Sequence, residues 1–182
     1  DNIMLPGLHN VENYMAAFAA VIDIVGENAC REVAASFGGV EHRIELVREK
    51  DGVRYYNDSI ASSPTRSIAG LNSFDKKVIM IAGGYDKHIP YDPIGSVICR
   101  RVKKLLLVGA TSPKIRKAVE DADEAEKPEI FDYGDFEAAV RAAAEMAESG
   151  DIVILSPASA SFDLFKNFME RGERFKAIVN SL

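Results

Sequence analysis

The sequence predicts an α/β fold of Rossmann-like type, a mostly parallel sheet with helices on both faces, entered through a β-hairpin and preceded by helices. Three observations carry this. The apolar runs in "KVIMIAGG", "KKLLLVGA" and "DIVILSPA" are continuous rather than alternating, as strands covered on both faces require. Each run ends in small or polar residues and leads into a helix-like stretch, the grammar of βαβ units with right-handed crossovers. Finally, "EHRIELVREKDGVRYYND" reads as two strand segments about Asp51-Gly52, a dipeptide suited to a tight hairpin turn.

The elements follow in order. Residues 10–25 predict an amphipathic helix (Val11, Tyr14, Met15, Phe18, Ile22, Val25) with Asn10 as its cap, and residues 28–36 a second helix stopped at "FGG". The hairpin comes next, and "VRYYNDS" leads into a helix over 63–73. "KVIMIAGGYDK" leads through a polar loop to a helix over 91–98, and "KKLLLVGATSP" to one over 112–121. A short strand, "PEIFD", precedes the clearest helix, 135–149, capped by Asp135 and ended by Gly150. "DIVILSPASAS" opens a last helix over 162–182 with the stripe Phe168, Gly172, Phe175, Val179 and Leu182. Its mid-helix glycine predicts close packing. The domain boundary is expected near Gly38-Gly39, with 1–37 as the helical tail of another domain and 38–182 as the domain proper. The biased "EDADEAEK" stretch reads as a solvated loop.

Composition narrows the function. The chain has 182 residues, 47% of them hydrophobic, and a formal net charge of −6. Scattered basic residues on an acidic chain argue against a nucleic-acid or membrane-surface partner, because phosphate contacts need clustered Lys and Arg. No run approaches the length of a membrane span, and no secretory pattern opens the chain. The expectation is a reduced cytoplasmic protein, with Cys30 and Cys99 unpaired. His9, His42 and His88 match no ligand spacing, so no metal site is expected.

In open parallel sheets, ligands collect beyond the carboxyl ends of the strands. Three predicted strand ends are chemically marked: "NDS" (57–59), "GGYDK" (83–87) and "SPASAS" (156–161). Parallel strands would line them along one edge. In "GGYDK", two glycines permit a sharp turn or close approach, and Lys87 offers a cation to a carboxylate or phosphate; a plain βα turn with a solvated lysine explains it as well. In "SPASAS", hydroxyls and free amides suit an anion, or Ser159 or Ser161 caps the next helix. Asp58 is placed to accept from ribose hydroxyls or to cap a helix. Asn10 and Asn13 fit either a helix start or the donor–acceptor edge of adenine. His42 and Arg43 open a strand, where an Arg is either a surface residue or a phosphate contact. No G-x-x-x-x-G-K-[ST] loop, G-x-G-x-x-G turn or G-x-S-x-G elbow occurs in the chain, so a complete enzyme is hard to build from it.

Taken in order, "LPGLHNVEN", "FGGVEHRIELV", "GVRYYNDSIASS", "IAGGYDK" and "DIVILSPASASFDLFKNFMERGERF" resemble the C-terminal half of the Mur ligases, in the branch that adds D-glutamate. The most specific blocks are "SPA.ASFD.F..F..RG..F", "NDS.A" and "GG.DK". The resemblance implies a fragment of a three-domain, ATP-dependent ligase of peptidoglycan synthesis: the C-terminal domain plus the last helices of the central one, inactive alone because the phosphate loop lies elsewhere. It implies ATP with Mg2+ as cofactor and D-glutamate and UDP-N-acetylmuramoyl-L-alanine as substrates, in a cytoplasmic monomer. By matching position, Lys87, Ser161, Ser62 and the backbone at Phe162 and Phe168 would surround D-glutamate. Asn10, Asn13, His42 and Arg43 would lie around the adenine and phosphates of ATP, and Asp58 at the ribose. No catalytic residue and no metal ligand is carried over. "NDSIASS" departs from the frequent "NDSKATN": Ile60 replaces a lysine, whose role is not transferred, while Ser62 keeps the hydroxyl of the threonine. The alternatives are a folylpolyglutamate synthetase-like domain, which uses L-glutamate, or a non-catalytic small-molecule binding module.

Overall fold

The computed structural model describes residue 3 and residues 8–182, with side chains at residue 3 and from Asn10 onward. The Leu5–Gly7 stretch of the first motif, positions 1, 2 and 4 of the expected tail and the side chain of His9 lie outside the described residues. The chain divides into two compact units, Asp1–Val40 and Glu41–Leu182.

In the first unit, helix α1 (Leu8–Ser36) is two helices joined at Gly26, whose φ of 80° breaks the helical run. That matches the expected pair. Asn10 is not its cap, because the helix already begins at Leu8 and Asn10 sits inside the first turn. The predicted stripe is only partly covered: Tyr14 is buried, whereas Met15, Ile22 and Val25 are exposed.

The second unit is a six-stranded sheet in the order β1-β2-β6-β3-β4-β5. Strands β1 (Glu45–Lys50) and β2 (Val53–Asn57) form the predicted antiparallel hairpin. Asp51 and Gly52 at its turn have φ of 53° and 79°, the two left-handed residues that a twisted two-residue hairpin needs. Strands β3 (Val78–Ala82), β4 (Val102–Val108), β5 (Glu129–Tyr133) and β6 (Ile152–Leu155) pair in parallel, and β6 inserts between β2 and β3. Successive residues of β3 feed opposite cores. Met80 packs with Leu71, Ile94, Ile98 and Ile115, under helices α2 (Pro64–Leu71), α3 (Asp92–Arg101) and α4 (Ser112–Glu120). Ile79 and Ile81 pack with Phe136, Val140 and Phe175, under α5 (Phe136–Glu145) and α6 (Phe168–Ser181). Burial on both faces is what the continuous apolar runs required.

Two helix ends differ from expectation, for long-range reasons. Asp135 does cap α5, its Oδ1 accepting from the Ala138 amide at 2.8 Å. The helix nonetheless stops at Glu145 rather than running to 149. Lys104 donates to the Met146 carbonyl (3.1 Å), and the Gly150 amide donates to Gly52 in the hairpin turn (2.9 Å). The last helix begins at Phe168, not at 162. The Ser161 carbonyl turns back to accept from the amides of Leu164 and Phe165, and Asn167 caps α6 by accepting from Glu170 at 2.8 Å. The glycine in α6 is explained as expected: a methyl on Gly172 would collide with the His42 ring and come within 3.1 Å of Asn57 Nδ2. No described helix is long and apolar enough to cross a membrane.

Candidate functional site

Helices leave β2, β3 and β4 toward one face of the sheet and β5 and β6 toward the other. Strand β6 therefore differs from both of its neighbours, β2 and β3, in the face its connection takes. Such switch points leave a crevice at the carboxyl ends of the strands. The segment leaving β6 is "SPASAS", flanked by "NDS" after β2 and "GGYDK" after β3. The structure brings the three marked strand ends together.

Hydrogen bonds join these loops directly. The Gly83 amide donates to Pro157 O (2.8 Å) and the Tyr85 amide to Ala160 O (2.9 Å). Gly84, at φ 146°, packs so that a methyl there would meet Ala160 O and Arg171. The glycines thus let one strand end lie on another. Ser156 Oγ donates to Asp58 Oδ2 (2.9 Å) and also lies 2.9 Å from Ser67 Oγ, which accepts from the Ala158 amide (3.0 Å). Ser159 Oγ lies 2.8 Å from Tyr91 Oη and 2.7 Å from Thr111 Oγ1. Ser156 and Ser159 are mortar between loops, and Ser159 caps no helix.

Ser161 is different. It is 3% exposed, yet its hydroxyl makes no hydrogen bond among the described residues. Beside it in the chain Phe162 is 61% exposed, its ring edge-on to exposed Tyr85 with centroids 6.0 Å apart. Lys87 is exposed and makes no ion pair or hydrogen bond among the described residues. Ser62 is partly buried, its amide bonded to Ile60 O (2.7 Å). The Phe168 carbonyl accepts from Ser59 Oγ (2.7 Å).

The nucleotide candidates split between the units. Asn10 and Asn13 lie in the first, with Asn13 Nδ2 3.4 Å from Asn10 Oδ1. In the second, Arg43 is exposed and Asp58 is buried. Burial pushes the Asp58 carboxyl up to about 7, against the pull of Ser156, the Ile44 amide, Arg43 and Arg66. His42 is buried at φ 65°, its Nδ1 2.9 Å from Asn57 Nδ2 and its ring edge-on to Phe168. The Ser59 amide donates to Asn57 Oδ1 (3.1 Å), which orients the Asn57 amide and makes His42 Nδ1 the acceptor. The remaining proton belongs on Nε2, which faces Glu173 at 3.8 Å.

Glu41, His42 and Glu173 also form the one His/Asp/Glu group whose ligand atoms converge among the described residues. Lys176 already pairs with Glu41, Glu45 and Glu173. An internal ammonium neutralising these carboxylates does not fit a Mg2+ site, which needs free oxygen ligands.

Sequence reasoning gave no role to Arg171, although "RG" stood inside the most specific motif. Its guanidinium is 2% exposed and donates to Ser59 Oγ (3.0 Å), Ser59 O (2.9 Å), Ser159 O (3.0 Å) and Ala160 O (3.0 Å). The available signal was helical phase: positions 171, 175 and 178 share the buried face of α6.

The second unit is a doubly wound α/β domain whose three polar strand ends meet at its switch point. The chain belongs to the Mur ligase, glutamate ligase domain family, which matches residues 42–159. It is 61% identical to the UDP-N-acetylmuramoylalanine–D-glutamate ligase of Acetivibrio thermocellus and 54% identical to that of Clostridium botulinum strain Alaska E43. Both alignments cover all of this chain and 40% of the relative, so the chain spans about two fifths of the curated relatives it matches. Among solved structures, the UDP-N-acetylmuramate-alanine ligase of Thermotoga maritima superposes with a TM-score of 0.71 at 14% identity, covering 98% of this chain and 39% of that one. The bifunctional folylpolyglutamate synthase/dihydrofolate synthase of Yersinia pestis gives 0.61 at 15% identity, covering 90% and 37%. These structural likenesses speak for the fold alone.

Proposed function

We propose that this chain is the amino-acid-binding part of a longer, cytoplasmic, monomeric ligase that joins D-glutamate to UDP-N-acetylmuramoyl-L-alanine in peptidoglycan synthesis. The observation that carries the reading is the identity of 51–61% along the whole chain to ligases of that name. The convergence of three polar strand ends on a partnerless Ser161 hydroxyl supports it. In this reading residues 1–37 are the tail of the central domain and 38–182 the C-terminal domain. ATP, bound with Mg2+ mainly by the rest of the protein, phosphorylates the L-alanyl carboxylate. The amine of D-glutamate attacks the acyl phosphate, forming the amide and releasing phosphate. This chain supplies the short donors for the two glutamate carboxylates: Ser161 and Ser62 hydroxyls, backbone at Phe162 and Phe168, and the Lys87 ammonium. Asn10, Asn13, His42, Arg43 and Asp58 serve the nucleotide. In this reading His42 acts by positioning, because its ring is already engaged by Asn57 and Phe168.

The test is an amide-resolved NMR titration of the chain with D-glutamate, with L-glutamate as control. Shifts at Ser161, Phe162 and Lys87 with the D isomer alone are expected. A response to L-glutamate instead would replace this reading with the folate-type one. In the full-length ligase, Lys87→Met is expected to raise KM for D-glutamate about tenfold, the loss of one exposed charge contact. KM for ATP and thermal stability should stay near wild type, because Lys87 makes no contact that the fold uses.

A further inference from the structure

The Arg171 guanidinium is the largest buried charge that the reading above leaves without a task. Four of its hydrogen bonds go to one hydroxyl and three carbonyls, in the loops after β2 and β6. No carboxylate lies within ion-pairing distance among the described residues. Asp163, whose charge is felt there, is solvent-exposed and 3.4 Å from the Ala110 amide instead. Burial lowers the guanidinium to about 10, so it remains charged at neutral pH. Burying an ion without a counter-ion costs several kcal/mol, and carbonyl dipoles offset only part of that. Tying loops together needs donors, not a charge.

The position supplies the missing reason. Arg171 holds Ser159 O and Ala160 O, the carbonyls immediately before Ser161, whose hydroxyl makes no hydrogen bond among the described residues and is not sealed from solvent. It also backs Gly84 in the "GGYDK" turn. We propose that Arg171 is a positioning residue for the amino-acid substrate: it fixes the loops that present Ser161 and leaves a permanent positive charge beneath the carboxylate site. This rests on the glutamate-binding reading. The substrate dianion is then the counter-ion the folded domain lacks, held by short donors in front and by the buried cation behind.

The experiment compares Arg171→Lys with Arg171→Gln in the full-length ligase, measuring KM for D-glutamate, KM for ATP, kcat and Tm. Lys keeps the charge and loses the fork; Gln keeps some donors and loses the charge. Both variants should melt earlier than wild type. Arg171→Gln should raise KM for D-glutamate about tenfold, the scale of one charge acting through a protein interior, with KM for ATP little changed. Arg171→Lys should stay within about threefold of wild type. Equal losses in the two variants, or glutamate and ATP constants rising together in step with Tm, would show a structural rivet and overturn the proposal. If neither variant folds, Asp163→Asn decides: removing the nearby negative charge should lower KM for D-glutamate about twofold, and an unchanged or higher value overturns the proposal. A wild-type ligase that ignores D-glutamate would overturn the underlying reading, and this assignment with it.

Discussion

Gly95→Ala is expected to destabilise the domain by about 3 kcal/mol, although alanine is the better helix former by about 1 kcal/mol. Gly95 sits inside α3, and a methyl there would run into the backbone of α4: the Ala118 carbonyl oxygen well inside contact distance, its carbon at 2.7 Å and the Val119 nitrogen at 3.4 Å. The obstacle is main chain in a neighbouring helix, which has no rotamer to give. Accommodating the methyl means separating α3 from α4 and loosening Ile94, Ile98, Ile115 and Val119, all fully buried. For a chain of this size, about 3 kcal/mol corresponds to a Tm drop of roughly 10 °C. Gly134→Ala is the control: an added methyl there meets nothing within 4 Å, so its Tm should lie close to wild type. Thermal unfolding of the three proteins decides the matter. If Gly95→Ala were as stable as wild type, the close α3–α4 approach would be wrong.

What the sequence made readable was local or periodic. Continuous apolar runs identified β3, β4 and β6, Asp51-Gly52 located the hairpin, and Asp135 marked the start of α5. The three strand-end motifs were singled out because a parallel sheet must place them on one edge, and their convergence followed. What escaped was set by partners far along the chain. Ser159 looked like a cap and instead joins Tyr91 and Thr111, 68 and 48 residues away. The start of α6 was misplaced by six residues because no local pattern shows that the Ser161 carbonyl folds back on Leu164 and Phe165. Arg171 escaped for a related reason. An arginine in a polar helix is normally solvated, and only the other three loops reveal that this one is enclosed. His42 was placed near the nucleotide by resemblance alone, and no local pattern showed that Gly172 and Asn57 make it part of the packing beside β2 and α6.

Asp58 carries the second large effect, on pH dependence. Its carboxyl is 3% exposed and pushed up to about 7 from an ordinary 3.8, mainly by burial. The native state therefore binds its proton more tightly than the unfolded chain does. Its contribution is fully present below about pH 4, is lost as the pH rises toward 7, and levels off above that. The gap amounts to roughly 4 kcal/mol as an upper limit. Asp58→Asn cannot ionise and keeps an oxygen for the Ser156 hydroxyl, so it lacks this slope. Denaturant unfolding of the two proteins at pH 5, 6, 7 and 8 should show the variant gaining on wild type by about 2 kcal/mol or more across the series. Parallel curves would mean that the buried carboxyl does not titrate in this window. The same ionisation bears on nucleotide binding. A carboxylate accepts from two ribose hydroxyls, whereas a carboxylic acid must use one of its oxygens as a donor. If Asp58 meets the ribose, ATP affinity of the full-length ligase should strengthen as the pH rises through 7, and Asp58→Asn should flatten that rise. The domain would then trade native stability for a charged acceptor only near neutral pH. Such a cost is expected where a carboxyl is kept buried for its ligand rather than for the fold.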